Sequence, residues 1–441
     1  MKYKLMSFLN DYWYRYGRPV IAVLMYVLAV VLWLLNARGK ARNFCCASIR
    51  YGISSSSAGL LQKILLSVPF TKDDTTEDVS LTEAAGRTIV IKWPEFQDYS
   101  CVGKGIIIIT FTRTFSFYLR NINLEELEKY FHIVLEPSWS GYADPDILAF
   151  MGRVKKVIVQ SSEVQDRALL NCFPETFIAA SFGASDWVDT TRFSPIVTDK
   201  KYDSIYIANT NPIKRVKRYL NAIKNLVDSG ARDYKGCLVC ASWGGAEKLI
   251  AEMVKSFNLN DNIVLRFDLS TTQVIEALSQ SKVNILLSYK EGSNRSLFES
   301  MFCGTPVICI YENVGVNKAY INEYTGLLIL DGLLERSLIW MGEHYTKFDP
   351  RSWAFENISP VKTTEKLKKI IASSCLDGGV LSNRKDALVK VNNPEVSYFN
   401  FPHLKANMFS TPLLEVFMQR DLDFPHCIES LSHGFFAEIS Q

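Results

Sequence analysis

The feature that most constrains this sequence is a repeated alternation of short apolar runs with helical patterns after residue 80. The candidate strands are RTIVIKW, GIIIITF, HIVLEP, KVIVQ and FIAASFG in a first series, and SIYIAN, GCLVCAS, NIVLRF, VNILLS, TPVICIY and GLLIL in a second. Near-continuous apolar strands separated by helices are typical of parallel sheets covered on both faces. The sequence therefore predicts an α/β fold with two Rossmann-like domains, whose parallel sheets face each other across a cleft and bind ligands at the carboxyl ends of their strands.

The domain boundaries follow from this pattern, because the non-regular stretch ASDWVDTTRFSPIVTDKK separates the two series. The predicted parts are a hydrophobic segment (1–36), a connector (37–80), an N-terminal Rossmann-like domain (81–194), a C-terminal Rossmann-like domain (203–372) and a C-terminal extension (375–441). The connector contains the serine run Ser54–Ser57. The extension is expected to pack on either domain.

The run PVIAVLMYVLAVVLWLLN, from Pro19 to Asn36, carries no charge. As a helix it would be roughly 27 Å long, close to the ~30 Å hydrocarbon core of a bilayer. Trp13, Tyr14 and Tyr16 precede it and Trp33 lies near its end, as in interfacial aromatic belts. Membrane attachment is the preferred interpretation, with a buried helix as the alternative. Basic residues flank both sides, so the positive-inside rule does not orient the segment. A helix in the inner leaflet, or a re-entrant one, is preferred over a single span.

Composition excludes several classes of function. The net charge of +3 and the absence of a nucleic-acid-binding motif argue against a nucleic-acid partner. Ten cysteines lie scattered, without the spacing of a disulfide framework, which fits a reducing compartment. Cys237 and Cys240 have CxxC spacing but lie inside an apolar run without a second pair, so buried strand cysteines are favoured over a zinc or redox site.

The stretch EGSNRSLFESMFCGTPVI begins at Glu291, directly after the candidate strand VNILLS. Ser293 or Asn294 is suited to cap the following helix, and Gly292 allows a ligand to approach the backbone. The helix start offers N–H groups to an anion such as phosphate. Glu299 falls in the second turn, on a face with small neighbours that leave room for a ligand. Two solvated glutamates are the alternative interpretation.

A second candidate site follows the strand SIYIAN. Asn211 is a plausible helix cap, with Pro212 at the first helical position of one continuous helix. Its expected buried stripe is Ile213, Val216, Leu220, Ile223 and Val227. Its first turns carry the cations Lys214, Arg215, Lys217 and Arg218. Cations are unfavourable at a helix start, unless a bound diphosphate reverses the sign; a solvated basic face is the alternative.

The stretch at Glu291 resembles the donor-binding signature of retaining glycosyltransferases of the two-domain glycosyltransferase-B fold, the glycosyl transferases group 1 family. The matching positions are Glu291, Gly292, Glu299, Gly304, Pro306, Val307 and Ile308. The resemblance implies that Glu291 contacts the donor sugar and that Glu299 holds the ribose hydroxyls. Carboxylates suit both roles because they accept two hydroxyl donors.

The family also places a phosphate-binding lysine eight residues before an alanine, as Lys214 stands before Ala222. The arginine usual five residues before that lysine is Asn209 here, and we expect Arg295 to supply the missing charge. The resemblance thus implies Glu291 and Lys214 as catalytic residues. The implied donor-binding residues are Glu299, Gly292, Asn294, Arg295 and Asn209.

In the first domain the segment HIVLEPSWSGYADPDIL predicts a strand, a loop and a helix. Glu136, Trp139 and Tyr142 are candidate acceptor-binding residues, because rings stack on sugars and a carboxylate accepts hydroxyls; an ordinary packed loop is the alternative. Asp144-x-Asp146 resembles a metal motif of another glycosyltransferase fold. Pro145 instead indicates a helix cap, so no metal is expected.

These observations predict a membrane-associated, hexosyltransferase-like enzyme that moves a sugar from a nucleotide-sugar donor to a lipid-linked, glycan or polysaccharide acceptor, with retention as the resemblance implies. No cofactor is expected, since the nucleotide sugar is a substrate. A nucleotide-sugar 2-epimerase and a non-catalytic membrane-tethered scaffold remain alternatives. The sequon at Asn294 would place an N-glycan in the donor site. Residues 80–441 are therefore expected to face the cytoplasm.

Overall fold

The computed structural model describes residues 9, 11–52, 58–76, 79–138, 144–242, 246–374, 388–392, 396–401, 403–404, 407–419 and 422–439. The chain divides into two compact units. Unit 1 comprises Met1–Arg15 and Thr190–Ser359, and unit 2 comprises Tyr16–Asp189 and Pro360–Gln441. These bounds differ from the predicted domains, since the first 15 residues group with unit 1 and residues 360–372 with unit 2.

Among the described residues, unit 2 begins with four α-helices, of which the sequence predicts the first as a hydrophobic helix and assigns the next two to a connector. These are α1 (Arg18–Leu34), α2 (Arg38–Tyr51), α3 (Ala58–Leu65) and α4 (Leu81–Gly86). Cys45, Leu61 and Ile64 of α2 and α3 are buried in the core of the unit. Much of the predicted connector is therefore structural, while its serine run lies outside the described residues.

The main sheet of unit 2 has five strands in the order β1-β4-β5-β6-β7. The strands of this part are β1 (Thr88–Lys92), β2 (Glu95–Gln97), β3 (Ser100–Gly103), β4 (Gly105–Thr110), β5 (Phe131–Glu136), β6 (Val157–Gln160) and β7 (Phe177–Ala180). The helices between them are α5 (Thr112–Asn121), α6 (Leu124–Tyr130), α7 (Pro145–Leu148) and α8 (Val164–Leu170). Strands β4 to β7 are parallel, as predicted, but β1 pairs antiparallel with β4. The short β2–β3 hairpin returns the chain, and such a connection joins antiparallel neighbours.

Unit 1 contains a six-stranded sheet in the order β10-β9-β8-β11-β12-β13, with every pairing parallel. Its strands are β8 (Ser204–Ile207), β9 (Gly236–Cys240), β10 (Ile263–Phe267), β11 (Asn284–Leu286), β12 (Val307–Ile310) and β13 (Gly326–Ile329). Its helices are α9 (Val216–Asp228), α10 (Ala246–Ser256), α11 (Thr271–Ser279), α12 (Arg295–Phe302), α13 (Leu334–His344) and α14 (Pro350–Asn357). The winding direction reverses between β8 and β11, and ligands bind at such a switch point.

The C-terminal part belongs to unit 2. It contains α15 (Pro360–Ser374), β14 (Lys390–Asn392), β15 (Val396–Tyr398), α16 (Asn407–Met418) and α17 (Phe424–Ile439). Leu413, Ile428 and Phe435 are buried in the core of this unit. The Tyr398 hydroxyl donates to the Val90 carbonyl of β1 at 2.8 Å. The extension is thus an integral layer of one unit.

The N-terminal apolar helix is largely exposed. Among the residues that the structure describes, one helix, Trp13–Leu34, is long and apolar enough to cross a membrane, and 11% of its most apolar window is buried. Ala22 and Ala29 of α1 are buried, and the Ser48 hydroxyl of α2 donates to the Ala22 carbonyl at 2.8 Å. The exposed apolar side chains of α1 are Val20, Val23, Leu24, Val27, Leu28, Val31 and Leu34. Polar α2 therefore covers one side of α1, and an apolar face remains uncovered.

Candidate functional site

Two loops meet at the switch point of the unit 1 sheet, one after β8 and one after β11. The Lys214 ammonium of the first loop lies 2.6 Å and 2.7 Å from the two carboxylate oxygens of Glu291 in the second. The Glu291 side chain is 8% exposed and that of Lys214 is 21% exposed. The structure therefore brings together the two predicted catalytic residues, 77 positions apart in sequence.

The loop after β8 differs from the continuous helix that the sequence predicted. Asn211 caps only a short 3₁₀ turn, Pro212–Lys214, and its side chain accepts from the Ile213 amide. Arg215 then adopts a left-handed conformation with φ 55° and ψ 38°, and α9 begins at Val216. A non-glycine residue in this region is strained, so its surroundings must hold it there.

The contacts of Arg215 supply that restraint. Its side chain is 2% exposed and donates to both oxygens of Asp331, at 3.3 Å and 2.7 Å. Burial alone would raise the pKa of Asp331, but the hydrogen bonds and charges of Arg215 and Arg218 outweigh it and hold the pKa below its ordinary value. Arg218 also pairs with Glu335 at 2.7 Å. Neither interpretation of the basic helix start, a bound diphosphate or a solvated face, describes these two arginines, because carboxylates of the protein neutralise them.

The loop after β11 is supported from a neighbouring segment. The Glu291 amide donates to the Val314 carbonyl at 2.8 Å, and the Ser288 hydroxyl donates to a Glu291 carboxylate oxygen. Gly315 has φ +114°, and a Cβ added there would stand 1.9 Å from the Glu291 carbonyl oxygen. Sequence reasoning missed Ser288 and Gly315. The only signal for the latter is a lone glycine after the next strand.

Helix α12 carries the remaining residues of the predicted motif. Asn294 caps the helix, since its side-chain oxygen accepts from the Leu297 amide at 3.0 Å. Glu299 is half-buried, and burial raises the pKa of its carboxyl group, partly offset by Arg295. Arg295 is exposed and Gly292 half-buried. The helix ends before Gly304, which has φ +73°.

A cleft of about 400 Å³ lies at the carboxyl ends of β8, β9 and β10. Its lining includes Asn209, Lys214, Val239, Ala241 and Asp268. The Asn209 side-chain oxygen accepts from the Asn211 amide at 3.0 Å, so the residue that replaces the family's arginine helps to shape the loop. An apolar wall beside an ammonium suits a ligand that combines a flat ring with an anionic group.

At the carboxyl end of β5 in unit 2, Glu136 is paired within the protein. Both of its oxygens accept from the Lys390 ammonium, at 3.0 Å and 3.1 Å, and Lys390 is wholly buried. The Lys390 ammonium also lies 5.1 Å from the centre of the Trp187 ring. The other two candidate acceptor residues, Trp139 and Tyr142, lie outside the described residues.

The two motifs with metal-like spacing, Asp144-x-Asp146 and the Cys237–Cys240 pair, have the structural roles that the sequence predicted. Asp144 caps α7, its side chain accepting from the Asp146 amide. Cys237 and Cys240 are buried in β9, and burial raises the pKa of each thiol to about 12. Within the described residues, no group of three or more His, Cys, Asp or Glu is placed to hold a metal ion. The absence of a metal from the reaction stays a prediction.

The model of the glycosyl transferases group 1 family matches residues 188–337, which lie almost wholly in unit 1 and include both loops. No curated protein matches the sequence.

Several solved structures resemble the chain at low identity. TarM of S. aureus is 16% identical, with a TM-score of 0.43, covering 59% of this chain and 58% of TarM. Sucrose-phosphate synthase from Thermosynechococcus elongatus is 13% identical, with a TM-score of 0.46, covering 61% and 74% of the two chains. Anabaena HepE, solved in complex with UDP, is 13% identical, with a TM-score of 0.46 and coverage of 60% and 78%. The match to TarM thus spans less than two thirds of that protein.

Proposed function

We propose that the protein is a nucleotide-sugar-dependent glycosyltransferase of the hexosyltransferase type, because residues 188–337 match the model of the glycosyl transferases group 1 family. The observation that carries the proposal is the Lys214–Glu291 pair at the switch point of the unit 1 sheet. Parallel α/β sheets bind nucleotides at this place, and the pair combines a cation for phosphate with a carboxylate for sugar hydroxyls.

In the proposed reaction the bond between the anomeric carbon and the diphosphate oxygen breaks. An acceptor hydroxyl oxygen forms the new glycosidic bond, and the hydroxyl proton passes to the departing diphosphate. Negative charge grows on the leaving diphosphate, and Lys214 stabilises it. Glu291 accepts hydrogen bonds from the donor sugar, and Glu299 accepts them from the ribose. The ion pair keeps Lys214 beside the reaction centre before the donor binds. When the donor binds, Lys214 replaces part of its contact with Glu291 by a contact with the donor phosphate.

Retention of configuration and the absence of a metal also belong to this proposal. Retention rests on the resemblance of the Glu291–Ile308 stretch to the motif of retaining enzymes. Charge neutralisation without a metal is supported by the position of Lys214 and by the start of α12, whose backbone amides favour an anion.

We further propose that the acceptor is a membrane-bound glycan or lipid-linked intermediate. The exposed apolar face of α1 supports membrane attachment, because α/β enzymes rarely expose such a stripe to water. Helix α2 supports an in-plane orientation. It packs along α1 and carries Arg42, which pairs with Asp74. A spanning α1 would bring this charged helix into the hydrocarbon core, at high cost. Helix α1 therefore lies within one leaflet.

Cytoplasmic placement of residues 80–441 is tested with sealed, right-side-out vesicles. Added protease should leave both termini and the catalytic units intact. Digestion of residues 80–441 from outside would defeat the placement. Loss of only the first residues would establish a spanning helix with its N-terminus outside.

The function itself is tested by incubating the purified protein with UDP-, GDP- and ADP-sugars. A transferase without acceptor hydrolyses its donor slowly and releases free sugar. Epimerised donor would instead indicate the 2-epimerase, and no change with any donor would indicate the scaffold. The Asn209 substitution is the main feature that favours a scaffold.

A further inference from the structure

We propose that Asp11, Tyr14 and Arg15 are positioning residues for the donor site, an inference that rests on the proposed function. These three residues, named here the N-terminal clamp, belong to unit 1 although some 175 residues separate them from the rest of that unit. They contact Arg215 and Tyr289, which are close in sequence to Lys214 and Glu291, and Asp331, rather than the reactive pair itself.

The clamp makes four directed contacts. The Asp11 carboxylate accepts from Arg215 Nε at 3.1 Å. The Tyr14 ring stacks on the Tyr289 ring, with 5.1 Å between centroids and 13° between planes. Arg15 donates from Nε to the Tyr289 hydroxyl at 3.0 Å and forms an ion pair with Asp331.

Of the three residues that receive these contacts, Arg215 and Tyr289 join the catalytic loops. Arg215 directly follows Lys214 in the strained left-handed position, and Tyr289 lies two residues before Glu291. The Arg215 guanidinium lies 4.1 Å from the centre of the Tyr289 ring and donates to the Leu287 carbonyl at 3.2 Å. Arg215 and Tyr289 thus bind one loop to the other. The clamp holds both residues from the side of the N-terminal segment.

The charged side chains around Asp331 neutralise one another. The arginines Arg15, Arg215 and Arg218 are matched by the carboxylates Asp11, Asp331 and Glu335. This set is neutral without Lys214 or Glu291. The Lys214 charge is therefore left to its own pair and to a diphosphate.

The proposal predicts an effect on turnover rather than on donor affinity. Without the clamp, Arg215 and Tyr289 lose restraints, and Lys214 and Glu291 sample displaced positions. A small displacement of a catalytic group lowers the rate of the chemical step strongly, while ribose and base contacts remain. We expect kcat to fall more than KM rises.

The test compares Tyr14→Ala with Tyr14→Phe, which keeps the stacked ring, and with Tyr324→Ala, which removes an exposed tyrosine elsewhere in unit 1. Hydrogen exchange of residues 212–216 and 287–291 is measured in the full-length protein, together with kcat and KM for hydrolysis of the active nucleotide sugar. Tyr14→Ala should speed exchange in both loops at least about fivefold and lower kcat about tenfold with KM within about twofold. Tyr14→Phe and Tyr324→Ala should behave like the wild type.

The proposal would be overturned if Tyr14→Ala left the exchange of both loops unchanged or left kcat unchanged. It would also be overturned if Tyr14→Phe did not keep the wild-type values. Arg15→Gln removes a second clamp contact at a half-exposed side chain and should give the same pattern if Tyr14→Ala does not fold. Wild-type protein that hydrolyses no donor, while Tyr14→Ala still loosens both loops, would refute the proposed function and leave the positioning contacts standing.

Discussion

The Lys214 ammonium contacts both carboxylate oxygens of Glu291, at 2.6 Å and 2.7 Å, across the point where the unit 1 sheet reverses its winding. Lys214 follows β8, the first strand of this sheet along the chain, and Glu291 follows β11, the fourth along the chain. The meeting of these two residues therefore depends on the order of the strands in the sheet.

Replacing Lys214 should affect turnover more than donor recognition. Lys214→Ala removes the cation beside the leaving diphosphate, and losing one such electrostatic group lowers kcat by about 10²–10³-fold. Lys214→Arg keeps the charge and should retain more activity. The measurement is steady-state kinetics on the active donor. Turnover of Lys214→Ala within twofold of the wild type would move the phosphate role elsewhere, with Arg295→Ala as the next variant.

Replacing Glu299 should weaken nucleoside diphosphate binding. Glu299→Ala leaves ribose hydroxyls unpaired, at a cost of about 1–3 kcal/mol. Burial raises the pKa of Glu299, so its carboxylate takes up a proton at a higher pH than an ordinary glutamate does. On acidification, the wild-type affinity for the nucleotide should therefore fall as Glu299 is protonated, and Glu299→Ala should lack this fall. Calorimetry with the nucleotide of the active donor measures both effects. Glu252→Ala, at an exposed position on α10, is the control, and unchanged affinity in a folded Glu299→Ala protein would contradict the ribose role.

Gly315 should be needed for the position of Glu291. Gly315→Ala places a Cβ 1.9 Å from the Glu291 carbonyl oxygen at φ +114°, whereas Gly230→Ala has nearly the same φ, +113°, with nothing within 4 Å. Gly230→Ala should cost about 1–2 kcal/mol from backbone strain alone and retain activity. Gly315→Ala should cost more, by denaturant unfolding, and lose most turnover. Equal behaviour of the two variants would show that the loop adapts.

The Glu136–Lys390 pair allows stability to be separated from acceptor binding. Glu136→Met should destabilise the protein by about 3–5 kcal/mol, because it removes the carboxylate that neutralises the wholly buried Lys390. Adding Lys390→Met should recover most of that loss. If Glu136 also binds the acceptor, the double variant will hydrolyse donor normally but transfer poorly. Normal transfer by a stable double variant would remove Glu136 from the acceptor site.

The exposed face of α1 should bind vesicles. The double variant Val23→Asp/Val27→Asp replaces two apolar side chains that are exposed in the protein. Transfer of each valine into the membrane contributes about 1.5–3 kcal/mol, so the affinity for vesicles should fall more than tenfold. Val197→Asp, at a fully exposed valine of unit 1, should bind like the wild type. Flotation with phosphatidylglycerol–phosphatidylcholine vesicles measures this. Equal flotation of all three proteins would argue against α1 as the anchor.

The strands of both sheets were predictable because continuous apolar runs leave little choice of structure. The meeting of Lys214 and Glu291 was also foreseeable, since each follows a parallel strand. The left-handed conformation of Arg215 was not, because nothing local distinguishes this residue from its basic neighbours. Its partner Asp331 is 116 residues away in sequence. The antiparallel pairing of β1 escaped prediction because its apolar pattern matches that of a parallel strand. The contacts of Asp11 and Tyr14 escaped it for the same reason as Arg215, since their partners are distant in sequence.

The composition of unit 1 from two separated segments has a consequence for synthesis. Asp331 emerges from the ribosome 316 residues after its partner Arg15. At about 5–20 residues per second, the first segment waits on the order of 16–63 s for its partner to exist. The apolar helix Trp13–Leu34, which begins in this segment, is synthesised early in that interval. The proposed membrane contact of this helix therefore becomes available before the proposed donor site is complete.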